Sequence, residues 1–331
     1  MIGLKIPTVP VDGKPAQNKL FNYSPYIFVV LLLLVLPFIL PTYYLSMLTK
    51  VVIFSIFAIG LNLLHGYTGL PTLGQAAYLG IAGYTVGIFM VRFGIQSFWI
   101  LFPLAIIMAV ILACIIGYFA LRVKGTYFLL INLAFGELLA NVAIKWRPLT
   151  GGTDGLVGIK YPDIGIPGFV WTDFNFYFLV LIAFIVSYYI LHRIVNSSFG
   201  HALVGIRENE PRMMSLGYNT WNYKYLSFII AALFGGVAGA LFAPFYGAMM
   251  PTHLALLTSS MVMLMVAIGS PGILWGPFLG TLIVLFLEHF SSVYTPERWP
   301  LILGGVFVLC VLFVPGGISI YLIKFWRKIR V

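Results

Sequence analysis

Apolar residues in this chain come in runs long enough to cross a bilayer, separated by short polar joints. The runs lie near residues 26–43, 47–64, 73–91, 98–120, 126–144, 174–192, 225–244, 255–269, 276–290 and 299–314. A helix needs about 20 largely apolar residues to traverse roughly 30 Å of hydrocarbon. Backbone N–H and C=O groups in lipid must be satisfied within the segment, so such runs are helices and not open sheet. The pattern predicts an all-α, polytopic transmembrane protein of about ten spans.

Composition leaves no soluble alternative. Of 331 residues, 61% are hydrophobic and 8% charged, whereas a globular domain carries about 25% charged residues. The formal net charge of +10 raises the question of nucleic acid, but the charges sit at the ends of apolar runs, where topology signals lie. With the N-terminus inside, thirteen of the 19 Lys and Arg residues fall on inner segments and six on outer ones. An even number of spans keeps the basic N-terminus and the basic tail on one side, so both termini are expected in the cytoplasm. The division is then a cytoplasmic segment over 1–25, a transmembrane domain over 26–314 and a basic cytoplasmic tail over 315–331. A periplasmic Gly/Pro-rich loop covers 145–173, and a charged cytoplasmic loop covers 193–224. No small-x-small cleavage site follows the first apolar run, which therefore reads as an uncleaved span. In the tail, Leu322, Ile323, Phe325 and Trp326 alternate with four basic residues, a pattern for resting on lipid at the inner membrane surface. Cys114 and Cys310 lie inside apolar runs and read as packing residues.

Several features interrupt this regular picture. Gly66, Gly69 and Gly74, with Pro71, predict a broken or re-entrant stretch, which membranes tolerate only beside protein or a cavity. Gly80, Gly83 and Gly87 recur at helical spacing, and Gly235 and Gly239 form a similar pair, as close helix packing requires. A second break is expected from Gly269-Ser-Pro-Gly272 to Gly280. Two such interruptions in separate halves mark transporters with a site between them. The pathway or gating candidates are Gly66, Gly69, Thr72, Gly74, Gln75, Glu137, Gly269, Ser270 and Gly272. Glu137 is the acid placed deep inside a span, with Asn141 one turn on and no intramembrane Lys or Arg to pair with. It reads either as a polar clasp between helices or as a pathway or coupling group.

The charged cytoplasmic loop carries Arg207, Glu208, Asn209 and Glu210, then Pro211, suited to the first turn of a short helix capped by Asn209 or Glu210. Gly217 would end that helix. Met213, Met214 and Leu216 on so short a helix suggest docking into a partner's groove, the other reading being a helix lying back on the membrane. No phosphate-binding G-x-x-x-x-G-K-[ST] loop occurs. Nor does any H-E-x-x-H or G-x-S-x-G arrangement, and the histidines lack metal-ligand spacing. No catalytic, cofactor-binding or metal-binding residue is expected.

These motifs resemble the larger permease subunit of bacterial branched-chain amino acid ABC importers. The resemblance rests on Leu61-Asn-Leu-Leu-His-Gly-Tyr-Thr-Gly69 with Leu73-Gly74, and on Leu133-Ala-Phe-Gly-Glu137 with Leu149-Thr-Gly-Gly-Thr-Asp-Gly-Leu156. It continues in Phe199-Gly200, Arg207-Glu-Asn-Glu210, Leu216-Gly217 and Trp275-Gly-Pro-Phe-Leu-Gly280. It implies an inner-membrane ABC permease fold working with a second homologous permease subunit, two cytoplasmic ATPases and a periplasmic binding protein. ATP is then bound by the partners, and the region from Arg207 to Gly217 is the helix that couples to them. The chain departs from the family at Leu70-Pro-Thr-Leu-Gly-Gln75, Gly269-Ser-Pro-Gly-Ile273 and Pro211-Arg-Met213. The first two lie in pathway segments, and related permeases carry urea, short amides or nucleosides. The expected solutes are leucine, isoleucine, valine or a similar small amphipathic molecule. An ion-coupled secondary transporter, an intramembrane enzyme and a passive channel are the rival classes, and Glu137 is the only support for the first.

Overall fold

A computed structural model of the chain describes residues 33–166, 171–294, 299–313 and 316–321. Helical residues 33–39 precede α1 (Thr42–Asn62), α2 (Ala76–Val91), α3 (Phe98–Ala120), α4 (Thr126–Lys145) and α5 (Asp173–Val195). Two short helices follow, α6 (Ser198–Glu208) and α7 (Glu210–Ser215). Then come α8 (Thr220–Tyr246), α9 (Leu256–Gly269), α10 (Gly276–Tyr294) and α11 (Trp299–Phe313). Each expected apolar run within the described residues is helical. Among those residues, seven helices are long and apolar enough to cross a membrane. The chain is a multi-pass membrane protein. The expected segment over 1–25, most of the expected tail over 315–331, and the side chain of Cys310 lie outside the described residues.

Burial sorts the helices into a centre and a periphery. From Val51 onward α1 is buried on every side, and α8 is buried over most of its length. By contrast, α3 buries a stripe of Leu101, Ala105, Ala109, Ala113 and Ile116 and exposes Ile100, Ile107, Ile111 and Ile115. An apolar exposed face opposite a small-residue seam is what lipid on one side and helix on the other demand. The seams are close. A Cβ on Gly60 of α1 would lie 2.6 Å from Phe234 Cβ of α8, and one on Gly236 of α8 would lie 2.9 Å from Ala109 Cβ of α3. Gly80 and Gly83 pack under Leu254 and Met249, so the glycine spacing on α2 is packing.

Three details differ from the sequence-based expectation. Helix α2 begins at Ala76 rather than 73 and has 16 residues, so its length of about 24 Å falls short of the hydrocarbon thickness. The break before it supplies the missing depth. Second, the loop over 145–173 contributes a strand, β1 (Leu156–Val157), paired antiparallel with β2 (Ala248–Met249). Gly158 N and Ile159 N extend the ribbon to Gly247 O, each at 3.1 Å. Third, two charges that the sequence left without partners pair across the bundle. Glu288 of α10 pairs with Lys50 of α1 at 3.0 Å, and Tyr43 Oη and His289 Nε2 hydrogen-bond beside them at 2.9 Å.

The contacts also assign loops to ends. The N-terminal end of α1 meets the C-terminal end of α10 through Lys50 and Glu288. The C-terminal end of α1 meets α6 and the α9–α10 connection, so both helix breaks and α6–α7 share one end of the bundle.

Candidate functional site

The first break grows out of α1. After Asn62 the helix widens into a π-turn over Leu63–Tyr67, the kind of local unwinding that favours functional positions. Thr68 closes it, with its N–H and its Oγ1 both donating to Leu63 O at 3.2 and 2.9 Å. Gly69 then turns the chain at φ +75°. Farther on, Thr72 Oγ1 accepts from Gly74 N at 3.3 Å. Gly74 lies directly on α4, where a Cβ would overlap the Asn132 carbonyl. Gln75, fully buried at the start of α2, has neither amide atom hydrogen-bonded.

The second break follows α9. Ser270 is the one non-glycine at positive φ among the described residues, at +94°, a conformation that survives only when its surroundings hold it. They do hold it. Gly317 packs on the Ser270 backbone, and Ser319 Oγ donates to Gly269 O. Ile273 N turns back to Ser270 O at 3.3 Å and Gly276 N to Ile273 O at 3.2 Å, after which α10 begins.

Two side chains join these breaks. Asn62 is fully buried; its Nδ2 donates to Ile273 O and its Oδ1 accepts from Gly272 N, both at 2.9 Å. One amide thus satisfies two backbone groups that the second break has freed. The other is Arg207 of α6. Its Nη1 donates to Gly66 O in the π-turn. Its stem crosses Gly69, where a Cβ would lie 2.7 Å from Arg207 Cγ, and Nη1 would lie 3.2 Å from a Cβ on Gly272. Four sequence candidates therefore meet at one place: Gly66, Gly69, Arg207 and Gly272. Thr72, Gly74 and Gln75 lie farther along the first break toward α4, and Gly269 and Ser270 lie under residues 317–319.

Glu137 stands apart from this cluster. Its Oε1 accepts from Leu256 N at 2.8 Å, in the first turn of α9, where a carboxylate suits the positive helix end. Asn141 Nδ2 reaches the Glu137 backbone carbonyl at 2.8 Å, not its carboxylate. The geometry is that of a clasp between α4 and α9.

The short helices are fixed at defined points. Asn209 Oδ1 accepts from Arg212 N at 3.0 Å and caps α7, and Gly217 ends the turn at φ +87°. Glu210 accepts from Thr220 Oγ1 at 3.1 Å and pairs with Lys224 of α8 at 2.6 Å. Partial burial pushes the Glu210 carboxyl up, but the hydrogen bond and charge of Lys224, helped by Thr220 and Lys124, outweigh this. The net effect is a pKa below its ordinary 4.5. Met213 turns inward, its Sδ 2.8 Å from where a Cβ on Gly205 would sit. Glu208 is exposed, and Met214, Leu216 and Tyr218 present an apolar exposed edge.

The profile of a family described as the branched-chain amino acid transport system permease component matches residues 43–312. The chain belongs to this family. It is 28% identical to the high-affinity branched-chain amino acid transport system permease protein LivM of Escherichia coli K12, over 93% of this chain and 76% of that protein. A probable LivM of Methanocaldococcus jannaschii is 25% identical, over 80% of this chain and 90% of the relative. LivH of Salmonella typhimurium is 23% identical over the same shares. No solved structure matches.

Sequence reasoning missed three parts of this permease. Asn62 had a signal, a lone amide in an apolar run that had to find partners. The Lys50–Glu288 pair had a weaker one, two charges at the ends of runs 238 residues apart. Ser319 had none, because its partner is a backbone carbonyl fifty residues upstream.

Proposed function

We propose that this chain is a membrane-pathway subunit of an ABC importer for branched-chain amino acids, placed in the cell inner membrane with about ten spans and both termini cytoplasmic. It works with a second homologous permease, two cytoplasmic ATPases that bind the ATP, and a periplasmic binding protein, by alternating access. The relatives' names support the solute and the second permease. The observation that carries the rest is the α6–α7 pair. It is capped, tied to α8 through Glu210 and Lys224, and exposes Met214, Leu216 and Tyr218 at the end of the bundle where both breaks lie. An exposed apolar edge on a rigid helical turn is the form that fits a protein groove. Glu137, the support for an ion-coupled transporter, lends one carboxylate oxygen to Leu256 N, which favours its reading as a clasp between helices.

Deleting residues 207–216 is expected to abolish recruitment of the ATPases, read by co-purification, while membrane insertion continues. Normal recruitment, labelling of residue 216 from the periplasmic side, or solute uptake by the purified chain alone would each overturn this reading.

A further inference from the structure

We infer that Arg207 is the positioning residue through which movement of the α6–α7 pair reaches both helix breaks. The inference rests on the importer reading given above.

Arg207 belongs to a surface helix, yet its side chain leaves that surface. The guanidinium is half-buried, and the ion pairs among the described residues are Lys50–Glu288 and Lys224–Glu210. What accepts its hydrogen bond is backbone, and the His65 ring lies near enough to sense its charge. Gly66 O accepts from Nη1, and the turn at Gly272 passes under the same nitrogen. These are the C-terminal ends of α1 and α9, each carrying partial negative charge from its unsatisfied carbonyls. A cation is favoured where two such ends converge. Arginine suits the place better than lysine, because its planar fork can address two backbone segments while its long stem lies flat. The stem has room because residue 69 is glycine, and a side chain at 272 would crowd Nη1. Both also adopt positive φ, +75° and +86°, which glycine does without a steric penalty.

The consequence is mechanical. Asn62 holds the first break to the second through Gly272 N and Ile273 O, so a displacement applied at Gly66 is shared by both. Residues 208–217 lie just beyond Arg207 and form the edge that a partner would move. On the side of the breaks, Gly66, Gly69 and Gly272 are the points that yield. Arg207 thereby connects a docking surface to two flexible discontinuities without touching solute.

The test uses the whole transporter in liposomes, with radiolabelled leucine uptake and ATP hydrolysis measured together. In R207A the leucine moved per ATP hydrolysed is expected to fall at least tenfold, a loss of about 1.4 kcal/mol or more in coupling, whatever the change in total hydrolysis. R207K, which keeps the charge and loses the fork, is expected to fall in between. A purely structural role would lower assembly and hydrolysis together and leave the ratio unchanged. An unchanged ratio in both variants overturns the inference. Should R207A fail to assemble, R207K decides alone: a fall in the ratio of threefold or more supports the inference, and a smaller change overturns it. If wild-type uptake proves independent of ATP, the importer reading itself fails and takes this inference with it, and that result is visible before any variant is made.

Discussion

Replacing Asn62 by alanine removes the only side chain among the described residues that spans the two breaks by hydrogen bonds to backbone on both of its amide atoms. Both bonds are 2.9 Å long, and the residue is fully buried. The net value of one such bond is about 1 kcal/mol, but leaving a buried N–H or C=O without a partner costs about 1–3 kcal/mol each. Side-chain hydrogen bonds between membrane helices average lower, about 0.6 kcal/mol, because the unfolded segments find other partners in lipid. Of the two groups released here, Ile273 O keeps its bond from Gly276 N at 3.2 Å, whereas Gly272 N loses its acceptor. The expected cost of N62A is therefore about 1–3 kcal/mol. N62D separates the two bonds. It keeps an acceptor for Gly272 N but sets a carboxylate oxygen against the Ile273 carbonyl in an apolar interior, so it should destabilise more than alanine does. Reversible unfolding of the purified chain in mixed detergent micelles measures the difference directly. By thermal denaturation the loss should appear as a drop of roughly 4–12 °C. A change below about 0.5 kcal/mol in N62A, or an N62D variant as stable as wild type, would refute the claim that this amide bridges the breaks.

Glu137 gives a graded test. E137A loses the bond to Leu256 N and should cost about 1–2 kcal/mol, whereas E137Q retains an acceptor there and should cost about half as much. If E137Q abolishes uptake while leaving thermal stability intact, the carboxylate has a role in the pathway after all. The Glu210–Lys224 pair predicts a pH dependence. Its carboxyl pKa is lowered on folding, so the pair contributes at neutral pH and is lost as pH falls below the ordinary 4.5 toward the lowered value. Hydrogen exchange of α7, taken relative to the intrinsic amide rate at each pH, should therefore stay slow at pH 7 and accelerate only below about 4.5. In E210Q it should be faster at pH 7 and lose that acid-dependent step.

What could be read from the sequence divides along a physical line. Helix identity was legible wherever lipid imposes one solution on a long apolar run, which is why the runs over 98–120 and 126–144 agree with α3 and α4 to within a residue. The breaks at Gly66–Gly74 and Gly269–Gly272 were legible because glycine and proline are local signals. So was the cap on α7, since Asn209 precedes Pro211 by the spacing that capping requires. The direction a side chain takes was not legible. Arg207 and Met213 were grouped with the exposed residues of the short helices because they neighbour them in sequence. The structure turns both inward, one onto the breaks and the other onto Gly205. Pairings across more than two hundred residues, such as Lys50 with Glu288 and Asn62 with Ile273, depend on which helices become neighbours. Periodicity along one chain does not encode that.

Asn62 and Arg207 are unusual in what they bond to. Each is a costly polar group in an apolar setting, and each is satisfied by backbone rather than by a complementary side chain. Two apposed side chains would tie two helices together wherever they packed. A side chain that fits freed carbonyls and N–H groups ties them together only while those segments remain unwound. Rewinding the π-turn would move Gly66 O back into the helical ladder and release Arg207, and straightening the second break would withdraw Gly272 N from Asn62. The bonds are thus conditional on the bent state of each segment: refolding the first frees Arg207, and refolding the second frees Asn62. Under the importer reading proposed above, the two breaks are expected to move as linked parts of a gate driven from one end of the bundle.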